Sequence, residues 1–208
     1  MRYQMGFSAP TPGVATILII TIATYLLFAV GGHTHLGVIA FDKLCLVPQK
    51  VVYSFEYWRL VSYAFLHDTA SPMHVILNSL MLYLLGTPLE ERWGEKRFLI
   101  FVSTAILVGG IFVVAAYLLG LSSSAVVGLS AATMGLVIAW GLTFSTSQIY
   151  ILGIIPVTGQ QLVWMTVGLE IIYAVSMSAV SSAAHFGGIA TAFVLCLGLY
   201  KLVWRRRR

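Results

Sequence analysis

Long apolar runs constrain this chain more than any other feature of its sequence. An α-helix needs about 20 apolar residues to cross the hydrocarbon core of a bilayer, with roughly 17 as a lower limit. Stretches of this length occupy residues 14–30, 73–89, 98–121, 128–144, 161–180 and 183–204. Because 59% of the 208 residues are hydrophobic and only 9% are charged, the composition is far from that of a soluble domain. The pattern predicts an all-α membrane protein with six transmembrane helices.

The connections between these spans favour a single domain. No stretch rich in proline, serine or charge is long enough to act as an interdomain linker, so we expect residues 1–208 to form one membrane domain. The first loop, 31–72, is too long for a simple connection and is rich in aromatic residues. Aromatic rings suit the headgroup level. We therefore expect a long interfacial external loop built from short helices.

The basic residues predict the orientation of the chain. Nine Lys and Arg residues fall on the side of the two termini, and three fall on the opposite side. Because cytoplasmic loops carry the excess of basic residues, we expect a multi-pass protein of the cell membrane with both termini in the cytoplasm. The net charge of +5 then reflects topology in the lipid bilayer, and nucleic-acid binding is not expected. The sequence makes no prediction of the oligomeric state.

Polar residues begin three of the spans that enter from the outer side. His74 and Asn78 lie in the first turns of span two, Ser130 in the first turn of span four and His185 in the first turn of span six. His74 and Asn78 are four positions apart and therefore share one helix face. Intramembrane histidine is rare and costly, which favours a functional role. Counting predicts that these residues meet at one depth, in a site that opens to the extracytoplasmic side.

Stripes of small residues favour contact between spans four and six. Small side chains at every fourth position let helix backbones approach closely in lipid. The stripes are Ala131, Gly135 and Ala139 in span four, and Ala184, Gly188 and Ala192 in span six. Each stripe begins beside a reactive residue, Ser130 or His185, so we expect the hydroxyl and the imidazole to approach each other.

This pattern is typical of serine hydrolase chemistry. A serine becomes a good nucleophile when a base takes its proton, and His185 is the ionisable group at the right depth. The backbone N–H of Ser130, the Asn78 amide and a His74 ring nitrogen are candidate donors to an oxyanion. The sequence places no Asp or Glu to orient His185, so it predicts a catalytic dyad that needs neither a metal nor an organic cofactor.

The remaining polar residues have simpler interpretations. His33 and His35 have no acid or further histidine nearby, and we read them, like His67 beside Asp68, as residues of a solvated loop. Glu170, near the middle of span five, either bonds to a neighbouring helix or lines a water-filled cavity, and the structural role is favoured about two to one.

These residues resemble the rhomboid family of intramembrane serine proteases, in its prokaryotic six-helix form. The family's motifs occur in order as Trp58-Arg59, the HxxxN of His74 and Asn78, the ExR of Glu90 and Arg92, the start of GxSG at Gly128 and Ser130, and the AHxxG of Ala184 to Gly188. The resemblance implies a dyad of Ser130 and His185, an oxyanion hole that includes His74 and Asn78, and cleavage of the transmembrane segments of membrane-protein substrates. We read Arg59, Glu90 and Arg92 as structural.

Two departures from the motifs leave alternatives open. Ala131 replaces the second glycine of GxSG, where its methyl group either narrows the substrate pocket or is accommodated in the helix packing, and Met134 replaces a usual aromatic residue. An inactive rhomboid-like protein that binds membrane clients is therefore one alternative. A small transporter is another, but it calls for paired charges or broken helices at mid-membrane, where only Glu170 qualifies.

Overall fold

The computed structural model describes residues 9–151, 154–176 and 179–198 and is mostly helical. Its helices are α1 (Pro12–Gly31), α2 (His35–Leu44), α3 (Pro48–Ser54), α4 (Arg59–Ser62), α5 (Pro72–Met81), α6 (Thr87–Trp93), α7 (Glu95–Leu118), α8 (Ser130–Thr143), α9 (Gly159–Ser176) and α10 (Ala179–Phe193). A 3₁₀ turn, Tyr63–Phe65, follows α4, and π-helical turns follow α5 at Leu82–Gly86 and α10 at Val194–Gly198.

Helix lengths divide the predicted spans into two groups. In the described part of the chain, three helical rods are long and apolar enough to cross a membrane: Pro12–Gly31, Pro72–Trp93 and Glu95–Leu118. The helix α8 has only 14 residues, which is about 21 Å of the roughly 30 Å hydrocarbon core. One end of such a helix would lie inside the hydrocarbon layer. The end of the last predicted span, 199–204, lies outside the described residues.

The second span is a continuous rod with one irregular turn. The π-helical turn Leu82–Gly86 joins α5 to α6 just before Pro88. Proline has no N–H to donate to the helical ladder, so the hydrogen bonds of the preceding turn must shift. The rod therefore stays helical from Pro72 to Trp93.

The long first loop folds into the short helices α2, α3 and α4, which are held together by Arg59. This side chain is fully buried and donates to the carbonyl oxygens of Asp42 and of Cys45, the latter at 2.6 Å. Its Nη2 also lies 2.6 Å from Glu56 Oε2, and hydrogen bonding to Arg59 is the main cause that lowers the pKa of Glu56. The Trp58 indole N–H donates to the carbonyl of Lys43 at 3.0 Å.

A β-hairpin is a departure from the all-α prediction in a structure that is otherwise mostly helical. Strand β1 (Gln148–Ile151) pairs with β2 (Ile155–Thr158) in antiparallel register, between the predicted spans four and five. Both strands are rich in β-branched and aromatic residues, which favour a pleated surface. The hairpin has two strands, so Pro156 sits on an edge strand, where its missing N–H is tolerated.

The centre of the molecule is a close crossing of α7, α8 and α10. A Cβ atom placed on Gly187 of α10 would lie 2.6 Å from the Cα of Gly109 in α7. A Cβ atom on Gly188 would overlap the carbonyl oxygen of Ala131 in α8. The small-residue stripes thus allow backbone contact between the helices that carry Ser130 and His185, as helix packing in lipid requires. A hydrophobic core that extends from α1 to α10 surrounds this crossing.

Candidate active site

Ser130 is the first residue of α8, directly after a turn that only glycine fits. Gly128 has φ +113°, a conformation that side chains rarely adopt, and its N–H donates to the carbonyl of Tyr63 at 2.9 Å. The Ser130 side chain is partly buried. The first N–H groups of a helix have no acceptor within the helix. Because Ser130 is the first residue of α8, its N–H has no intrahelical acceptor and can donate to a ligand.

The backbone of Gly128 also lies against two side chains of α5. A Cβ atom at this position would lie only 2.8 Å from His74 Nε2 and 3.8 Å from Asn78 Nδ2. His74 and Asn78 therefore pack beside the turn that leads into Ser130.

Asn78 is held by a buried network that the sequence interpretation missed. Its Nδ2 lies 3.0 Å from the carbonyl oxygen of His74, and since a carbonyl only accepts, this contact fixes the orientation of the amide. Asn78 Oδ1 then accepts from the Thr133 hydroxyl at 3.0 Å. The other face of Nδ2 meets His67 Nε2 at 3.3 Å. Both amide hydrogens are engaged, so an oxyanion at Asn78 would have to replace one of these acceptors.

The interpretation of His67 as a solvated loop residue is wrong. Its side chain is only 1% exposed, and its ring stands edge-on to that of His74, with the ring centroids 5.0 Å apart. Burial, and secondarily the neighbouring His74, lowers the pKa of His67 to about 4. A neutral ring is what the contact with the Asn78 amide requires, because Nε2 must accept there. A histidine just before a predicted span was the available sequence signal.

His185 lies on α10, beside the crossing with α8. Gly109 of α7 faces both Ala131 and Ala184, since a Cβ atom on it would lie 2.6 Å from Ala131 Cβ and 3.2 Å from the carbonyl oxygen of Ala184. The neighbours of these alanines in sequence are Ser130 and His185. His185 is also close enough to His74 for their charges to interact.

An acid meets His185, contrary to the expectation that none was placed to do so. Glu170 Oε1 of α9 lies 3.1 Å from His185 Nδ1, and the Glu170 side chain is 5% exposed. The contact is at ion-pair distance without the alignment of a regular hydrogen bond, and neither atom has a hydrogen-bond partner among the described residues.

The sequence interpretation missed this contact because it placed the two residues at different depths. The spans were predicted to end at residue 180 and to resume at 183, which puts Glu170 deep and His185 in a first turn. The structure describes α9 up to Ser176 and α10 from Ala179. The 3.1 Å contact brings Glu170 and His185 to one level of these neighbouring helices.

The residues of the ExR motif connect helices rather than contribute to the site. The Glu90 carboxylate accepts from the N–H groups of Gly13 and Val14, both at 2.8 Å, and from the Thr11 hydroxyl at 2.6 Å. It therefore caps the N-terminus of α1, where a negative charge is favourable. The Arg92 guanidinium lies over the Phe144 ring, 5.5 Å from its centroid.

The methyl group of Ala131 points into the helix crossing and not into a pocket. Ala131 is 1% exposed, and its Cβ faces Gly109 of α7. Of the two alternatives for this methyl group, the structure favours the one in which the helix packing accommodates it, because the glycine of α7 makes room for it. Met134 is partly buried against the core.

The predicted absence of a metal site remains a prediction. Within residues 9–151, 154–176 and 179–198, no three His, Cys, Asp or Glu side chains are arranged to hold a metal ion. His33 and His35 are exposed in the first loop.

The apolar rods and the polar cluster between α5, α8 and α10 define a multi-pass helical membrane protein with a polar site at helix ends. The model of the Rhomboid domain matches residues 54–202, which is more than half of the chain. The chain therefore belongs to the rhomboid family, which confirms the resemblance that its motifs suggested.

Individual relatives agree with this assignment. The chain is 28% identical over 200 residues to the rhomboid protease GlpG of Klebsiella pneumoniae, an alignment that covers 94% of the chain and 64% of that protein. It is 26% identical over 110 residues to the Yersinia pestis rhomboid protease GlpG, covering 53% of the chain and 35% of the relative. It is 36% identical over 58 residues to the rhomboid-like protease 3 of Toxoplasma gondii, covering 28% and 21%. The chain thus spans less than two thirds of the length of each relative.

Proposed function

We propose that this protein is an intramembrane serine endopeptidase that cleaves within the transmembrane segments of membrane-protein substrates. The observation that carries the proposal is the close approach of His74 and Asn78 to the turn before Ser130, where a Cβ atom added to Gly128 would lie 2.8 Å from His74 Nε2 and 3.8 Å from Asn78 Nδ2. Polar side chains held next to a candidate nucleophile are what the stabilisation of an oxyanion in acyl transfer needs. Membership of the rhomboid family supports the same activity.

The reaction follows from the roles of the side chains. Ser130 Oγ attacks the carbonyl carbon of the scissile peptide while His185 Nε2 takes the hydroxyl proton. The resulting oxyanion accepts hydrogen bonds from the Ser130 N–H, the Asn78 amide and the His74 ring. The protonated His185 then gives its proton to the leaving nitrogen, and the C–N bond breaks to form an acyl-enzyme.

Water completes the cycle. His185 removes a proton from a water molecule that attacks the ester carbon, and the same proton returns to Ser130 Oγ as the acid product leaves. With the termini in the cytoplasm, spans two, four and six begin outside. This water therefore enters from the extracytoplasmic side and reaches Ser130 at the start of the short helix α8, below the membrane surface. No metal ion or organic cofactor takes part in these steps.

Cleavage of a single-span substrate by purified protein tests the proposal. We expect cleavage by the wild type and a loss of at least about 1000-fold in Ser130→Ala and His185→Ala, because each removes the nucleophile or its base. Ser123→Ala, which changes an exposed serine, is the matched control and should cut like the wild type. If either site variant cuts at the wild-type rate, the assignment of its residue is wrong.

A fluorophosphonate probe separates this proposal from the inactive alternative. The probe forms a covalent bond only with an activated serine, so the wild type should be labelled and Ser130→Ala should not. Absence of Ser130-dependent labelling in membranes that hold folded protein would favour a rhomboid-like protein that binds clients without cutting them.

A further inference from the structure

The pair of Glu170 and His185 is the most unusual contact in the membrane-embedded part of the molecule. Both side chains are largely shielded, with 5% of the Glu170 side chain and 13% of the His185 side chain exposed. A buried carboxylate without a partner is expensive in a protein and more so within lipid. The contact at 3.1 Å provides that partner on the neighbouring helix.

The exposure of the other α9 residues shows that Glu170 lies on the buried face of this helix. The neighbouring Leu169 and Ile172 are 63% and 62% exposed, as expected for a face towards lipid. Among the described residues of α9, the buried ones are Gly159, Val163 and Glu170. The acid is therefore the point at which the outer half of this helix meets α10.

We propose that Glu170 is a positioning residue that holds the His185 ring and favours one tautomer, so that the site works as a Ser-His-Glu triad rather than a dyad. The inference rests on the proposed protease function. An ionised carboxylate attracts a proton and has none to donate, so its position 3.1 Å from Nδ1 favours the neutral tautomer that carries its proton on Nδ1. Nε2 is then unprotonated and can take the Ser130 proton.

The proton count is the same with Glu170 as without it. The Ser130 proton moves to Nε2 and later to the leaving nitrogen, while the Nδ1 proton stays on the ring throughout. Glu170 remains ionised and stabilises the positive imidazolium that forms between these two transfers. No additional reactant is needed.

The other titratable groups around His185 do not replace this role. His74 faces it from α5, with His67 behind His74. The Tyr63 hydroxyl, in the turn that follows α4, lies beside Gly109 of α7 and already donates to the Ile106 carbonyl at 2.9 Å. In the described part of the chain, Glu170 is thus the carboxylate in ion-pair contact with the base.

A purely structural role for Glu170 is the competing explanation, and kinetics distinguish the two. We compare Glu170→Gln, which keeps the shape and removes the charge, with Glu170→Asp, which keeps the charge on a shorter side chain. Glu91→Gln, which removes an exposed carboxylate on α6, is the matched control. We expect Glu170→Gln to lower kcat about 100-fold with KM unchanged, Glu170→Asp to recover part of kcat, and Glu91→Gln to behave like the wild type.

A second measurement does not depend on activity. Thermal unfolding in detergent of the wild type, Glu170→Gln, His185→Gln and the double variant gives the coupling between the two side chains. We expect the double variant to lose clearly less than the sum of the single losses. Independent effects would show that the two side chains do not interact.

The outcomes separate this inference from the proposed function. If the wild type cuts and Glu170→Gln keeps the wild-type kcat, Glu170 does not position the base, although the protease function stands. If both Glu170 variants lose kcat and thermal stability in equal proportion, the role is structural and the inference is wrong. If the wild type neither cleaves the substrate nor reacts with the fluorophosphonate probe, the protease function is wrong. The positioning role of Glu170 is then wrong as well, even if the thermal coupling still shows that the two side chains interact.

Discussion

Gly128 meets two separate demands at the residue scale. Its φ of +113° requires a residue without a Cβ atom, and its lack of a side chain lets the His74 ring pack directly against its backbone. Either demand alone would favour glycine. Together they explain why the turn before Ser130 begins with this residue.

Replacement of Gly128 separates these demands. We expect Gly128→Ala to lower fluorophosphonate labelling of Ser130 by about 100-fold or more, because the methyl group must displace the His74 ring that the proposal places in the oxyanion hole. Gly120→Ala is the matched control, since Gly120 also has a positive φ, +72°, but has no neighbour within 4 Å of a Cβ atom. Labelling of Gly128→Ala as strong as that of Gly120→Ala would show that the contact between Gly128 and His74 does not matter for the site.

His67 predicts a pH dependence of stability. Its pKa is about 4 in the folded protein and about 6.5 in an unfolded chain, so between these values the unfolded state binds more protons. The contribution of the neutral His67 ring to the free energy of unfolding is therefore complete above about pH 6.5 and is lost as the pH falls towards 4. We expect a loss of up to about 3 kcal/mol in the free energy of unfolding.

The matched variant for this effect is His67→Gln, which keeps an acceptor for the Asn78 amide and does not titrate in this range. Thermal unfolding in detergent between pH 7 and pH 4 should show a flatter pH dependence for the variant than for the wild type. Parallel curves would mean that other groups cause the acid sensitivity.

At the scale of elements, the packing of α8 on α10 depends on glycine residues, which have no side chain at the contact. The backbone of Gly188 lies against the carbonyl oxygen of Ala131, and that of Gly135 lies near the carbonyl oxygen of Gly188, at 3.0 Å from an added Cβ atom. In lipid, where apolar surface gives no driving force between helices, such close contact is a main source of association.

Gly188→Ala tests this contact. The added methyl group must push α8 and α10 apart, so we expect a loss of about 1–3 kcal/mol in the free energy of unfolding together with slower labelling of Ser130. The control is Gly168→Ala in α9, where an added Cβ atom has no neighbour within 4 Å and a better helix former should be neutral or slightly stabilising. Equal thermal stability of the Gly188 variant and the wild type would contradict the packing argument.

The element boundaries also show where sequence reasoning fails. Each of the predicted spans contains helix, since apolar length is a local property. Apolar and small residues continue from span five into span six and give no stop signal, so the sequence does not fix how the two spans line up. The pairing of Glu170 with His185 depends on that alignment.

For the whole molecule, the distribution of charge predicts orientation. The six predicted crossings would put the C-terminal end of α6 and the β-hairpin on the cytoplasmic side, and the loop that follows α7 outside. The residues that weigh most in this prediction, Arg2, Lys201 and Arg205 to Arg208, lie outside the described residues. The orientation therefore stays a prediction from the sequence.

Cysteine labelling tests this orientation. In a background without Cys45 and Cys196, we expect a membrane-impermeant maleimide to label Ser123→Cys on intact cells and to label Glu91→Cys only after permeabilisation. Both positions are exposed, so the side of the membrane on which each residue lies decides whether the maleimide reaches it. Labelling of Glu91→Cys on intact cells would reverse the predicted topology.

The sequence by itself determined the membrane class, the approximate spans and the motifs that place the chain in the rhomboid family, because apolar length, charge bias and short motifs are properties of nearby residues. Only the tertiary structure decided that His67 is buried against Asn78, that the Ala131 methyl faces α7, and that Glu170 reaches His185. Each of these depends on which helix faces cross and at what depth. Such pairing brings together residues that are 11 or more positions apart, and neither periodicity nor composition records it.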